Sequence, residues 1–143
     1  MQIKIKKLNE NVVTPTYATE GAACFDISAS ECARIQAGEQ QVIGTGLSFE
    51  IPEGFVMMVY SRSGHGFKHG VRLGNGTGVI DSDYRGELKV CLRNDGDSGI
   101  FVDVGDRVVQ AMIMPVPKVV FEEAEQLSET NRGEGGFGST GVK

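Results

Sequence analysis

Cysteine is scarce in this sequence, which contains only Cys24, Cys32 and Cys91. Three is an odd number and no Cys-x-x-Cys pair occurs, so neither a disulfide framework nor a cysteine metal cage is indicated, and reduced, partly buried thiols are expected. Long hydrophobic runs are missing too. No stretch reaches the roughly 18 apolar residues of a membrane span. Met1 to Leu8 alternates charge with Ile instead of forming the apolar centre of a signal peptide. A soluble, cytoplasmic protein with no membrane partner is expected. Positive charge is in short supply, with 14 Lys and Arg against 19 Asp and Glu and a net charge of −5. That balance argues against a nucleic-acid backbone as the main partner. Any anionic ligand must find its positive charge locally. Helical periodicity is the last absence: apolar residues never persist at i, i+3, i+4 for 10 to 12 residues, and Ser63 to His69 has room only for a short helix.

What the chain does have is glycine, 20 of 143 residues, roughly twice the usual ~7% and without a collagen-like period. At this length one domain burying about two-thirds of its unfolded surface is expected. Alternating or continuously apolar runs at residues 3–6, 41–49, 55–60, 79–80, 88–92 and 107–114 read as strands. Between them lie Pro52-Glu53-Gly54, Gly64 to Gly66, Gly74 to Gly78, Asn94 to Asp97 and Val104 to Asp106, which read as tight turns. The expected architecture is all-β, a barrel or jelly-roll-like sandwich of many short strands. After Phe121 the composition turns acidic, and residues 132–143 carry five glycines. Such a segment cannot bury enough apolar surface to offset its ordering entropy and reads as a mobile arm. The boundary falls between a β core at 1–127 and a glycine-rich arm at 128–143.

Four segments carry chemistry. In Gly74 to Glu87, glycines without a Cβ permit a sharp hairpin and close approach of a ligand to the main chain. Asp81 follows two β-branched residues and is expected to leave a strand at its mouth; a plain hairpin with solvated acids is the bland alternative. The Asp-x-Asp-x-x-Gly spacing is no calcium loop, because Arg85 and Leu92 stand where ligands are required. Asn75-Gly76-Thr77 matches a glycosylation acceptor, which has no bearing without secretion. In Ser61 to Gly70, an arginine, a hydroxyl and backbone N–H groups suit phosphate, although a capped surface turn has the same sequence. His65 and His69 are four apart, but no third ligand cluster accompanies them, so structural histidines are expected rather than a zinc site.

Gln110 interrupts the apolar run at 107–114. A buried amide without a partner costs roughly 1 to 3 kcal/mol, so it must either bond a neighbouring backbone or position a water. The fourth segment, Arg132 to Gly141, matches Gly-x-Gly-x-x-Gly, yet too little chain follows for a dinucleotide fold. Its cation, aromatic ring, hydroxyls and bare amides suit the covering of a base and the gripping of phosphates.

Together, and in this order, five motifs resemble those of the all-β homotrimeric dUTPases: Ala22 to Ile27, Ser61 to Gly64, Asn75 to Glu87, Gly105 to Gln110, and Arg132 to Gly141. Ser61 stands where many members have Pro, and Cys24-Phe25 where Gly-Tyr is common. The resemblance implies a jelly-roll or β-clip barrel with a flexible C-terminal arm. It implies Mg²⁺-assisted hydrolysis of dUTP to dUMP and pyrophosphate, which lowers dUTP and supplies dUMP for dTTP synthesis. It further implies that Asp81 deprotonates and orients the water attacking the α-phosphorus, that Gln110 holds the same water, and that Asp26 supports the hydrated metal. Arg62, Ser63 and Gly64 would bind the phosphate chain, and Arg132, Ser139, Thr140 and Gly141 its far end. Asn75 and the main chain of Gly78, Val79 and Ile80 would read the uracil edge, Tyr84 would pack on the deoxyribose, and Phe137 would stack on the base. Each family site is shared by three subunits, one giving the third motif, one the first, second and fourth, and one the arm.

Elementary chemistry agrees with this assignment. A triphosphate carries about three to four negative charges, so an acidic protein needs Mg²⁺ and arginines to gather it. A dCTP deaminase is the nearest rival, but it needs a further general acid/base at the ring, and the hairpin offers no carboxylate beyond Asp81 and Asp83. A binding protein that retains the nucleotide site and acts on a protein partner is the rival from another class.

Overall fold

Burial with a period of two builds the sheets. In the strand Lys89–Asn94, Val90, Leu92 and Asn94 face the interior while Lys89 points to solvent, the alternation a pleated strand imposes. The computed structural model describes residues 1–141. In chain order the strands are β1 (Lys4–Lys7), β2 (Thr16–Tyr17), β3 (Phe25–Ser28), β4 (Ala33–Ile35), β5 (Gln40–Gly44), β6 (Leu47–Glu50) and β7 (Phe55–Ser61). One helix among the described residues, α1 (Ser63–His69), follows. The remaining strands are β8 (Val71–Leu73), β9 (Thr77–Ile80), β10 (Lys89–Asn94), β11 (Ile100–Val102) and β12 (Arg107–Pro115). The all-β architecture expected from the sequence is the one observed. None of the helices among the described residues is long and apolar enough to cross a membrane.

The largest sheet runs β2-β3-β12-β7-β9, beside a three-stranded sheet β5-β10-β8 and the pairs β1-β6 and β11-β4. Their inner faces enclose one core that includes Ile27, Ile35, Ile43, Leu47, Met57, Leu73, Leu92 and Val109, each at most 2% exposed. Burying each such side chain is worth about 1.5 to 3 kcal/mol. Polar groups inside are satisfied. Asn94, wholly buried, donates from Nδ2 to the carbonyls of Ile35 at 3.0 Å and Ser98 at 2.8 Å and accepts from Gly96 N–H.

Two details differ from the sequence expectation. The run at 41–49 is two strands, because Gly46 adopts φ +65° beside Val12 and turns the chain between β5 and β6. The glycine-flanked turn after Leu73 closes no two-stranded ladder: β8 pairs with β10, whereas β9 pairs with β7. Gly74 to Gly76 therefore carries the chain from one sheet to another, with Gly76 at φ +74°.

Candidate active site

The first half of the site is built on β9. This strand ends its sheet, so one row of its backbone N–H and C=O groups faces away from the ladder. Asn75 donates from Nδ2 to the Thr77 carbonyl at 3.1 Å, which fixes its amide at the strand's entrance. Beside it a cleft of about 310 Å³ is lined by Asn75, Gly78, Val79, Ile80 and Leu88, among others. It adjoins a second cleft of about 520 Å³ lined by Val79, Ile80, Asp81, Tyr84, Glu87, Leu88 and Lys89. Asp81 leaves the strand's end, exposed, and its carbonyl accepts from Tyr84 N–H at 3.2 Å. Tyr84 Oη donates to the Glu87 carbonyl at 2.9 Å, and a Cβ on Gly86 would meet the tyrosine ring. The absence of a side chain there seats the ring.

The second half lies on β3, β12 and the start of α1. A pocket of about 360 Å³ is lined by Cys24, Asp26, Arg62, Ser63, Gly64, Arg107 and Gln110, among others. Asp26 accepts from Arg62 Nε at 2.8 Å through one oxygen and from Arg107 Nη1 at 3.0 Å through the other. Gln110 donates from Nε2 to the Ser61 carbonyl at 3.0 Å. The backbone partner anticipated as one possibility for this amide is present, and it orients the side chain at the pocket wall. Burial, and secondarily the Asp26 carboxylate, push the Cys24 thiol above its ordinary range, which keeps that wall neutral. His65 Nε2 donates to the Arg107 carbonyl at 2.9 Å, a structural bond joining helix to strand.

The halves do not meet within one chain. Gln110 pairs with Tyr60, which pairs with Thr77. Asp81 lies four residues beyond Thr77, about 13 Å along the strand, and two strand spacings, roughly 9.6 Å, across the sheet from Gln110's row. The two backbones are thus roughly 16 Å apart, and side chains standing perpendicular to a sheet do not close such a gap. The pocket and the clefts share no lining residue.

The arm joins neither half. Among the described residues, the hydrogen bonds of Arg132, Gly133, Gly135, Ser139 and Gly141 stay inside residues 128–141, as in Arg132 Nε donating to the Gly135 carbonyl at 2.8 Å. Phe137 is fully exposed at φ 49°, and Thr140 is exposed as well.

Sequence reasoning passed over Arg107, Gly86, Glu87 and Lys89, all of which border the two half-sites or shape them. The donor set also bears on Mg²⁺. Among the described residues no three His, Cys, Asp or Glu side chains converge on a point, and Asp26 is the one carboxylate in the arginine pocket. A hydrated ion carried by ligand phosphates and touched by Asp26 through water fits this set; a cage of protein ligands does not.

An all-β fold with an open, largely apolar cleft edged by Asn75 and Gly78 and a separate pocket lined by two arginines is of the class whose surface suits a phosphorylated ligand. Comparison with known proteins narrows the class. The chain belongs to the dUTPase family, whose sequence model matches residues 10–141. It is 48% identical to the deoxyuridine 5'-triphosphate nucleotidohydrolase of Nautilia profundicola, over 99% of both chains. It is 47% identical to that of Helicobacter hepaticus, over 99% of this chain and 90% of the relative. In structure it resembles the dUTPase of Staphylococcus bacteriophage 80alpha with dUpNHpp, at a TM-score of 0.93 and 28% identity over 99% of each chain.

Proposed function

We propose that this protein hydrolyses dUTP to dUMP and pyrophosphate, in sites assembled from the complementary halves of different copies of the chain. The observation that carries this reading is the separation of Asp81 from Gln110 and Arg62 in a single chain, joined to identity of 48% with a named dUTP hydrolase over its full length. An isolated chain holds a carboxylate without a phosphate pocket beside it, and a phosphate pocket without a base.

In the assembled site, the uracil edge pairs with Asn75 and the outward main chain of Gly78, Val79 and Ile80. The thymine methyl has no room there, and a cytosine amino group would face donors. The Tyr84 ring occupies the space a 2′-hydroxyl would need. Arg62, with the N–H groups of Ser63 and Gly64, binds the phosphates of the same nucleotide from a second copy. Asp81 takes the proton of a water aimed at the α-phosphorus, and Gln110, oriented by its bond to the Ser61 carbonyl, holds that water. Bound Mg²⁺ would supply charge neutralisation along the phosphate chain, with Asp26 reaching it through water. The arm of a third copy closes the site, with Phe137 over the base and Arg132, Ser139, Thr140 and Gly141 at the far phosphates; closure excludes water and completes the constellation. A homotrimer follows from this three-way sharing. The free thiols of Cys24, Cys32 and Cys91 accord with a reducing, cytoplasmic setting.

The direct test incubates the protein with dUTP, dCTP, dTTP and UTP, with Mg²⁺ or with chelator, and identifies the products. Pyrophosphate from dUTP alone, abolished by chelation, is expected. Ammonia from dCTP would establish a deaminase instead, and absence of turnover would leave a binding protein.

A further inference from the structure

We propose that Asn75-Gly76 is a self-modifying site, a point of spontaneous deamidation at which the chain loses its hold on the nucleobase and which bound nucleotide protects. The loss of hold rests on the reading of the cleft beside β9 as the uracil site; the chemistry itself does not.

Five asparagines occur in the sequence, and of them only Asn75 precedes a glycine. Glycine has no Cβ to shield its backbone nitrogen from the side chain before it. The local geometry brings the two groups together. Thr77 N–H donates to the Asn75 carbonyl at 2.8 Å around Gly76 at φ +74°, a three-residue turn of the rare and strained kind. Asn75 Nδ2 donates to the Thr77 carbonyl at 3.1 Å, which draws the side chain forward along the chain and its amide carbon toward the Gly76 nitrogen. Gly76 N–H is itself held by a 3.2 Å bond to the Leu73 carbonyl, at the long end of the normal range. A Cβ on Gly76 would meet nothing within 4 Å, so water and hydroxide reach the turn.

The step balances without a redox partner. Hydroxide takes the Gly76 amide proton, the nitrogen attacks Asn75 Cγ, and the new N–Cγ bond replaces Cγ–Nδ2, whose nitrogen leaves as ammonia with a proton from water. Water then opens the five-membered imide at either carbonyl, leaving aspartate or, with an added methylene in the backbone, isoaspartate. The other asparagines each lack a requirement. Asn94 is wholly buried with its amide bonded to two carbonyls. Asn9, Asn11 and Asn131 precede Glu10, Val12 and Arg132, whose Cβ atoms shield the nitrogen. Either product sets a carboxylate oxygen against the Thr77 carbonyl oxygen, and the turn opens. Negative charge also enters the rim of the cleft lined by Asn75, Gly78 and Ile80, where the carbonyl oxygens of uracil need donors. A bound base does the reverse, because it occupies the amide and holds the turn closed.

The test follows every asparagine by peptide mass spectrometry while the full chain stands in mildly alkaline buffer, with and without dUpNHpp. Asn75 is expected to gain about one mass unit ahead of the other four. The conversion should quicken as the pH rises, since the attacking nitrogen must shed its proton, and slow several-fold with dUpNHpp bound. Gly76→Ala should slow it about tenfold or more; alanine is strained at this φ, so the pH dependence in the unmodified sequence is the independent measurement. Protein converted at Asn75, and Asn75→Asp as its direct equivalent, should bind dUpNHpp about ten- to a hundredfold more weakly in calorimetry. Conversion of Asn75 no faster than that of Asn9 or Asn131 would overturn the proposal, as would undiminished affinity in the converted protein. Should the unmodified protein fail to bind dUpNHpp, the nucleotide reading falls and the loss of hold with it, while the order of conversion still decides the chemistry.

Discussion

Asp26 and Arg62 are joined carboxylate to guanidinium at 2.8 Å, with their side chains only 14% and 24% exposed. Removing one member of so shielded a pair strands the other's charge away from full hydration. Asp26→Ala should therefore destabilise the fold by about 1 to 3 kcal/mol in denaturant titration and lower kcat/KM for dUTP about tenfold or more, because Arg62 loses its aim. Wild-type values of both quantities would show that Arg62 is oriented by something else.

On the function proposed above, Tyr84 and Gly86 together set sugar selectivity. The hydroxyl is anchored to the Glu87 carbonyl at 2.9 Å, and the ring occupies the space a Gly86 side chain would need. Gly86→Ala should displace the ring and raise the ratio of UTP to dUTP turnover several-fold, on the order of 1 kcal/mol of lost discrimination. Equal discrimination in the variant and the parent would remove the ring from sugar recognition.

Much of this was legible in the sequence, and the losses have physical causes. The helix at Ser63–His69 is bounded by Gly70 at φ +66°, a stop signal that a sequence displays openly. β2, β4, β8 and β11 have only two or three residues each, too few for a period to register. The split between β5 and β6 depends on one left-handed glycine, which composition shows but whose φ it does not. In the candidate site, the identities of Asp81, Arg62 and Gln110 could be read from their segments. Their division between distant parts of one chain could not, because it is a property of strand order and register. Arg107 escaped notice because a bulge in β12 reverses the face that alternation assigns to it.

The arm gives a third prediction. Val119, Val120, Phe121 and Leu127 are 68% to 96% exposed, and among the described residues none from 128 to 141 makes a hydrogen bond to the core. Deleting residues 128–143 should leave the elution volume and melting temperature nearly unchanged while suppressing dUTP turnover. A change in the assembled size would make the arm structural.

Acid should act on a spot far from the chemistry. Arg72 and Arg93 stand directly opposite each other in the β8–β10 ladder, a like-charge pairing that destabilises a sheet. Asp95 bonds both at 2.6 Å. Hydrogen bonds from Arg93 and then Arg72 hold its carboxyl below the ordinary 3.8. A depressed pKa gives stability that is present above the ordinary value and lost as pH falls through the lowered one. Asp95→Asn should therefore be less stable than the parent at pH 7, with the gap shrinking once the pH drops below about 4. Denaturation curves at the two extremes of this range measure it; a gap that widens on acidification would reverse the assignment.

The central claim is that the carboxylate and the arginine pocket of one working site come from different chains, and subunit complementation tests it most directly. Asp81→Asn alone should lose about 10² to 10⁴ in kcat, and Arg62→Gln alone should be similarly impaired. Co-refolded in equal amounts, the two inactive variants should regain about a quarter of wild-type turnover, since random assembly unites an intact half from each in that fraction of sites. A mixture as inactive as its components, with mixed assemblies confirmed by mass spectrometry, would contradict the claim.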